Sequence, residues 1–400
     1  MKLPFAFVFM ATAAFAAEDF RITVEAGDYD RHDTVVEFKL PPDAKPTAVI
    51  VSEGSRPTGL QITPDGHAWF IEPDLKRGAK RIYTFRDGVA RTPVRALPEK
   101  GALTLSVFGR TALVYRTDKT EFPPNRPDLT AIYHRGGYIH PVLSPSGKQI
   151  TDDYPSNHKH HHGIWWAWTH TEFEGRKPDF WNMGDGKGTV EFVSLDKTWS
   201  GPVHAGFVSK LRQVDLLAPE PKTALNETWN VKLYAIGNEA TQPYFVFDVE
   251  VTDTCATDSP LRLPEYRYGG IGFRGNWNWN GQTNLNFLTS EGDTDRSKGD
   301  KNETRGRWAH ISGIIDGGLT GIAILGHPQN FRAPQPMRIH PTEPFFNFAA
   351  QQAGAAEITP GKPFVARYRF VVADGAPDKA QLDRLWNDYA HPPEVNVKSQ

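Results

Sequence analysis

Gly270-Ile-Gly-Phe-Arg-Gly275 runs directly into Asn276-Trp-Asn-Trp-Asn-Gly281. The first six residues have the form Gly-x-Gly-x-x-Gly. Read as a dinucleotide fingerprint, they would make the chain a parallel α/β protein. That reading needs a strand before the glycines and a helix opening on them. Asn276 to Gly281 is not a helix start, so the dinucleotide reading is rejected. The glycines are instead expected to allow close strand packing or backbone approach to a ligand.

With that motif set aside, the dominant pattern is β. Thr34-Val-Val-Glu-Phe-Lys-Leu40 alternates apolar and polar residues, as does Arg81-Ile-Tyr-Thr-Phe85. Tyr244-Phe-Val-Phe-Asp-Val-Glu-Val251 and Phe364-Val-Ala-Arg-Tyr-Arg-Phe-Val-Val372 read as longer strands. Alternation rich in Val, Phe, Tyr and Thr between turn residues marks half-buried strands. Short strands at such spacing argue for a sandwich. One helix stands out near the C-terminus. Leu382, Leu385, Trp386 and Tyr389 fall at helical offsets, Asp378 is placed to cap them, and His391-Pro392-Pro393 stops the run.

The expectation is therefore an all-β chain: a large antiparallel β-sandwich with a small N-terminal β unit and a short C-terminal helix. Residues 1–16 read as a signal peptide, with Lys2 before an apolar run and Ala14-Phe15-Ala16 as a cleavage site. That run is too short to span a bilayer. Residues 17–105 are assigned to the N-terminal unit, 106–392 to the large sandwich domain, and 393–400 to a tail. The expected location is periplasmic or secreted.

Composition excludes several function classes. The chain of 400 residues has 45 Lys and Arg against 47 Asp and Glu, a net charge of −2. Such balance gives no phosphate-seeking field, so nucleic acid is not an expected partner. No stretch beyond the N-terminus reads as membrane-inserting. The single Cys255 makes neither an internal disulfide nor a CxxC zinc site. It also lacks a nearby His, and no G-x-S-x-G elbow occurs, so nucleophilic Ser or Cys catalysis is unsupported.

The chemistry concentrates in three places. Seven of the 14 histidines lie between His134 and His170, centred on Asn157-His-Lys-His-His-His-Gly163. Neutral imidazoles supply acid–base groups near neutral pH or bind transition metals. If the stretch is extended, His158, His160 and His162 share a face; in a loop, all four can converge. Neither an HExxH pattern nor a carboxylate at a helical offset accompanies it, so no metal and no cofactor is assigned. The second place is Pro264-Glu-Tyr-Arg-Tyr-Gly-Gly270, with Glu265 beside Arg267 and, further on, Arg274. The third comprises Arg305 to His310 and Gly326-His-Pro-Gln-Asn-Phe-Arg332. Trp165, Trp181 and Trp277 are candidate platforms for sugar rings, whose C–H faces stack on aromatic surfaces; sandwich core is the competing use of such residues.

Several spaced blocks resemble a bacterial family of secreted proteins labelled PmoA-like, or "methane oxygenase PmoA". They are Tyr138-Ile-His-Pro-Val-Leu-Ser-Pro-Ser-Gly147, Asp153-Tyr-Pro with His158-Lys-His-His-His-Gly-Ile-Trp165, Asp179-Phe-Trp181, Tyr268-Gly-Gly-Ile-Gly-Phe-Arg274, and Gly321-Ile-Ala-Ile with His327-Pro-Gln-Asn-Phe-Arg332. Together they cover roughly residues 106–372. Where that family usually carries Asp before its His block, this chain has Asn157. A membrane monooxygenase subunit would need several transmembrane helices, which this sequence lacks. The resemblance implies instead a sugar-catabolic role on a supersandwich similar to galactose mutarotases, where a His acid and a Glu base act on a sugar.

The functional expectation is a secreted carbohydrate-active enzyme acting on a neutral sugar or glycoside by cleavage or epimerisation. His160 and His161 are the candidate acids and Glu265 the candidate base. His158, Trp165, Trp181, Arg267, Arg274, Trp277, Arg305, His327, Asn330 and Arg332 are the candidate substrate-binding residues. A non-catalytic glycan-binding module and a His-ligated metal-dependent hydrolase are the alternatives.

Overall fold

The computed structural model describes residues 20–44, 46–118, 121–281, 283–297 and 304–399. The expected signal over residues 1–16 lies outside them. The fold is all-β with one C-terminal helix, and its bulk is two eight-stranded antiparallel sheets.

One of these, the site sheet, has the spatial order Met337–Ile339, Phe345–Phe348, Gly270–Arg274, Ile164–Ala167, Tyr138–Val142, Arg110–Arg116, Ala102–Val107 and Val94–Glu99. The other, the back sheet, runs Gly188–Trp199, His204–Asp215, Lys222–Tyr234, Tyr244–Cys255, Phe364–Asp374, Gly318–Gly326, Trp308–Ile315 and Asn286–Thr289. The two longer alternating runs are thus the central strands Tyr244–Cys255 and Phe364–Asp374 of the back sheet. Each alternation sends one set of side chains into a single core drawn from both sheets, including Leu105, Ile139, Trp229, Phe247 and Phe370.

Gly270–Arg274 is an inner strand between Ile164–Ala167 and Phe345–Phe348. This bears out the rejection of a nucleotide loop. Trp165 is paired with Gly272, and a Cβ on that glycine would lie 2.7 Å from the Trp165 ring and 2.8 Å from that of Trp181. Only a residue without a side chain leaves room for both rings. The period of two along Ile164–Ala167 divides the tryptophans. Trp165 turns toward the His block, stacking near His161, whereas Trp166 and Trp168 turn inward and both donate their indole N–H to Asp253 Oδ2, at 2.9 and 2.7 Å.

Residues 20–86 build a smaller unit. A five-stranded sheet has the order Glu394–Ser399, Phe20–Glu25, Lys80–Arg86, Val49–Ser52 and Thr58–Gly59. A three-stranded sheet of Arg31–Lys39, His67–Leu75 and Gln61–Ile62 accompanies it. Ile22, Val24, Val36, Ile50, Phe70 and Tyr83 form its separate core. Two details differ from the sequence reading. Residues 394–399, read as a tail, form a strand paired with Phe20–Glu25. The expected boundary after residue 105 cuts the strand Ala102–Val107, which belongs with Val94–Glu99 to the site sheet. Pairing partners distant in the chain cannot be read from local alternation.

The helix Lys379–Ala390 is where the sequence placed it. Asp378 caps it, accepting from the amides of Ala380 and Gln381 at 2.9 and 3.1 Å. Leu382 and Leu385 pack with Tyr234, Trp308 and Leu325 of the back sheet, and Val35 and Ile71 of the smaller unit join the same cluster. Asp388, buried, pairs with buried Arg31 at 2.9 Å and accepts from Thr34 Oγ1 at 3.0 Å. The helix therefore fastens the small unit to the sandwich.

Candidate functional site

The His block is a loop rather than a strand. The His158 amide donates to Pro155 O, the His161 amide to His158 O, and the Tyr154 amide to His161 O. These turns divide the four imidazoles. His158, His160 and His161 gather on one side, with ring centroids 4.7 Å apart for His158 and His161 and 4.8 Å for His160 and His161. His162 leaves the group: its Nδ1 lies 2.8 Å from Asp153 Oδ1, and its ring sits between Tyr138 and Tyr154. Its partner Asp153 lines a separate polar cleft with His140 and Asp152.

The three clustered imidazoles open onto a cleft of about 250 Å³. Its other walls are Trp181, Asn182, Arg267, Tyr268, Arg338, His340 and Phe345. His161 stacks on Phe345, at 4.9 Å and 20°, and also packs at a tilt on Trp165, at 4.9 Å and 31°. Trp165 is fully buried beneath that stack, so it supports the cleft floor rather than lining it. Trp181 lines the cleft and packs on Tyr268, with centroids 5.3 Å apart.

Arg274 organises the rim from below. Its side chain is wholly buried and reaches three segments at once. It donates to Glu343 Oε2 at 2.6 Å, to Asn157 Oδ1 at 3.0 Å and to Asn280 Oδ1 at 3.1 Å. These tie together the His loop, the Trp-Asn turn and the hairpin before Phe345–Phe348. Glu343 also lies 2.9 Å from His158 Nδ1. Burial works against its charge, but the His158 contact and the Arg274 guanidinium prevail and hold its pKa down at about 2. Glu343 is therefore an ionised carboxylate at neutral pH.

His160 and His161 are neutral for the opposite reason. Burial pulls His160 down to about 3, with the nearby His158 imidazole adding to it. His161 is pulled well below the ordinary value by burial and by His160 and Arg274. Both are therefore uncharged at neutral pH, and the burial that keeps the proton off also makes them weak bases, so they serve as hydrogen-bonding groups. Burial raises the Tyr268 hydroxyl to about 12, so it stays protonated; it donates to Asn182 Oδ1 at 3.4 Å.

Of the residues singled out from the sequence, His158, His160, His161, Trp181 and Arg267 line this cleft, and Trp165 and Arg274 support it. The others lie elsewhere. Glu265 is exposed and does not line the cleft; its charge acts on Arg332. Arg332 spends its guanidinium on the carbonyls of Ala350, Gly354 and Ala355. Arg305 donates to Pro334 O at 2.8 Å. His327 and Asn330 line a small apolar pocket against Trp386, and Trp277 is 48% exposed on its turn. The carboxylate of the site is instead Glu343, within Arg338-Ile-His-Pro-Thr-Glu343, a segment that also supplies Arg338 and His340. The one signal for it was a His and a Glu three residues apart beside prolines.

Among the described residues, no group of three or more His, Cys, Asp or Glu side chains is arranged to hold a metal ion. No described helix is long and apolar enough to cross a membrane. Residues 102–387 match the model of a family of unknown function (DUF6807), from the strand Ala102–Val107 through most of the C-terminal helix. No curated protein matches the chain.

Proposed function

The chain belongs to this family of unknown function (DUF6807), and from that premise we propose that it is a carbohydrate-active enzyme whose imidazole cleft performs proton transfer on a bound sugar. One observation carries the reading: four histidines and three aromatic rings converge on a single cleft of about 250 Å³. Aromatic faces receive the C–H surface of a sugar ring, and imidazole, amide and guanidinium groups bond its hydroxyls.

The chemistry follows from the protonation states. Glu343 beside His158 Nδ1 favours the tautomer with the proton on that nitrogen, leaving Nε2 as the acceptor. His158 is then the base, oriented by Glu343, and neutral His160 and His161 offer hydrogen bonds to the sugar hydroxyls. Tyr268, its hydroxyl proton directed to Asn182, lines the same cleft. This arrangement serves glycoside cleavage or epimerisation, both of which move a proton on or off a sugar carbon or oxygen. The resemblance to PmoA-like proteins and to the galactose-mutarotase supersandwich supports a sugar substrate by analogy of fold. The leader-like residues 1–16 support action in the periplasm or outside the cell.

The test is a panel of glycosides and free sugars, oxidised and unoxidised, incubated with the protein and followed by chromatography. Turnover of one sugar class is expected, with His158→Gln, His160→Ala and His161→Ala each lowering it on the order of a hundredfold. Saturable binding with no turnover would make the protein a glycan-binding module. Turnover undiminished by all three substitutions would sink the assignment of the cleft.

A further inference from the structure

Resting on the reading of the cleft as a sugar site, we propose that Asp179 determines its specificity from outside the lining. Asp179 fixes the Asn182 amide with its carbonyl oxygen toward the ligand, so the site selects a sugar with a free hydroxyl at that place. The carboxylate receives four donors. Its Oδ1 accepts from the amides of Trp181 and Asn182, at 3.0 and 2.9 Å. Its Oδ2 accepts from Thr169 Oγ1 at 2.9 Å and from Asn182 Nδ2 at 2.8 Å. The first pair holds the turn on which Trp181 and Asn182 enter the cleft wall. The second pair orients the Asn182 side chain.

That orientation is fully determined. Asn182 Nδ2 donates to Thr169 Oγ1 as well, at 3.1 Å. An amide nitrogen carries two protons, and both are engaged. Thr169 is buried, and neither it nor Asp179 lines the cleft. The nitrogen end of Asn182 therefore faces away from a ligand. Flipping the amide would set its oxygen against Asp179 Oδ2, two acceptors with no proton between them. Asn182 precedes the short 3-10 turn Met183–Asp185, yet its side chain does not cap that turn.

The oxygen end is on the cleft side. Its one partner among the described residues is the hydroxyl of Tyr268, itself a wall of the cleft, at 3.4 Å. That is long for an O–H···O bond, which usually spans about 2.5–3.0 Å. A carbonyl oxygen has two lone pairs, so Asn182 Oδ1 keeps room for a ligand donor. A sugar hydroxyl beside Trp181 and Tyr268 supplies one. A ketone at the same ring position cannot, and it leaves two oxygens facing each other. Neutral His160 and His161 each carry one donor and one acceptor, so they discriminate less between the two groups.

The experiment is calorimetric titration of the full chain with methyl glucoside, methyl galactoside and methyl mannoside, and with their keto derivatives, each oxidised at one ring hydroxyl. At one ring position the parent is expected to bind on the order of tenfold more tightly than the ketone. Asp179→Asn keeps an acceptor for the two backbone amides but sets an N–H against Asn182. The Asn182 oxygen then turns to meet it, and the nitrogen turns to the cleft. The gap should close in that variant, because a hydroxyl and a ketone both accept. Adding Asn182→Asp returns an acceptor to the cleft, and the gap should reopen. An Asp179 that merely held the turn would weaken parent and ketone alike. Equal binding of each parent and all its ketones would overturn the inference and leave the sugar reading standing, as would a gap unchanged in Asp179→Asn. If that single variant does not fold, the double variant carries the test, and a closed gap there overturns the inference. No binding of any sugar would overturn both.

Discussion

Glu343→Gln tests the electrostatic design of the cleft directly. The substitution keeps an acceptor for Arg274 but removes the charge. The ordinary value for a Glu carboxyl is 4.5, and in the folded protein it is about 2. At about 1.4 kcal/mol per tenfold, that gap corresponds to roughly 3 kcal/mol of folding stability. The side chain is 13% exposed, and solvent screening lowers the expected value to about 2 kcal/mol. Loss of one member of a buried ion pair costs about 3–5 kcal/mol, which bounds the effect from above.

The sign follows from the direction of the shift. A carboxyl lowered on folding contributes its full stabilisation above 4.5, and that contribution fades as pH falls toward about 2. The gap between wild type and Glu343→Gln should therefore be widest near neutrality and close progressively in acid. Urea unfolding followed by tryptophan fluorescence, from about pH 7 down to about pH 3, reads this gap. A gap of the same size at every pH, or none at neutrality, would refute the role given to Glu343.

Three further outcomes are expected. Glu265→Ala should leave sugar binding and turnover at wild-type levels in the same titration and chromatographic assays, because the side chain lies outside the cleft. Gly272→Ala forces a methyl group to within 2.7 Å of the Trp165 ring and should cost about 1–3 kcal/mol in thermal unfolding, with weakened sugar binding as Trp181 shifts. Asp388→Ala leaves Arg31 buried without its partner and should destabilise the protein by about 3–5 kcal/mol, read by urea unfolding, while sugar affinity stays unchanged.

Local physics made much of the fold readable. Tyr244–Cys255 and Phe364–Asp374 alternate because one face of each enters the core, and Lys379–Ala390 carries its own cap and stop. The His block was visible because its residues are adjacent, but its division was not. Turns at His158 and His161 send His162 to Asp153, and such turns carry no period. Glu265 drew attention because it stands two residues from Arg267. The acid that acts on the site is 69 positions from Arg274, in a hairpin loop with neither alternation nor motif. Charge pairing across strands depends on sheet order, and sheet order is not written in any one segment.

The pairing of Phe20–Glu25 with Glu394–Ser399 has a consequence for how the molecule is assembled. The first described strand is an inner one, flanked on one side by Lys80–Arg86 and on the other by nearly the last residues of the chain. A chain that emerges from its N-terminus can form the hairpins of the small unit early, but Phe20–Glu25 lacks its second neighbour until residue 394 arrives. The back sheet meanwhile closes through neighbouring hairpins from Gly188 to Cys255. Glu394–Ser399 thus covers the open side of Phe20–Glu25, takes the edge position itself, and ties down the helix just before it. Removing Glu394–Ser399 would keep every cleft residue in the chain yet leave that side of Phe20–Glu25 without its partner strand.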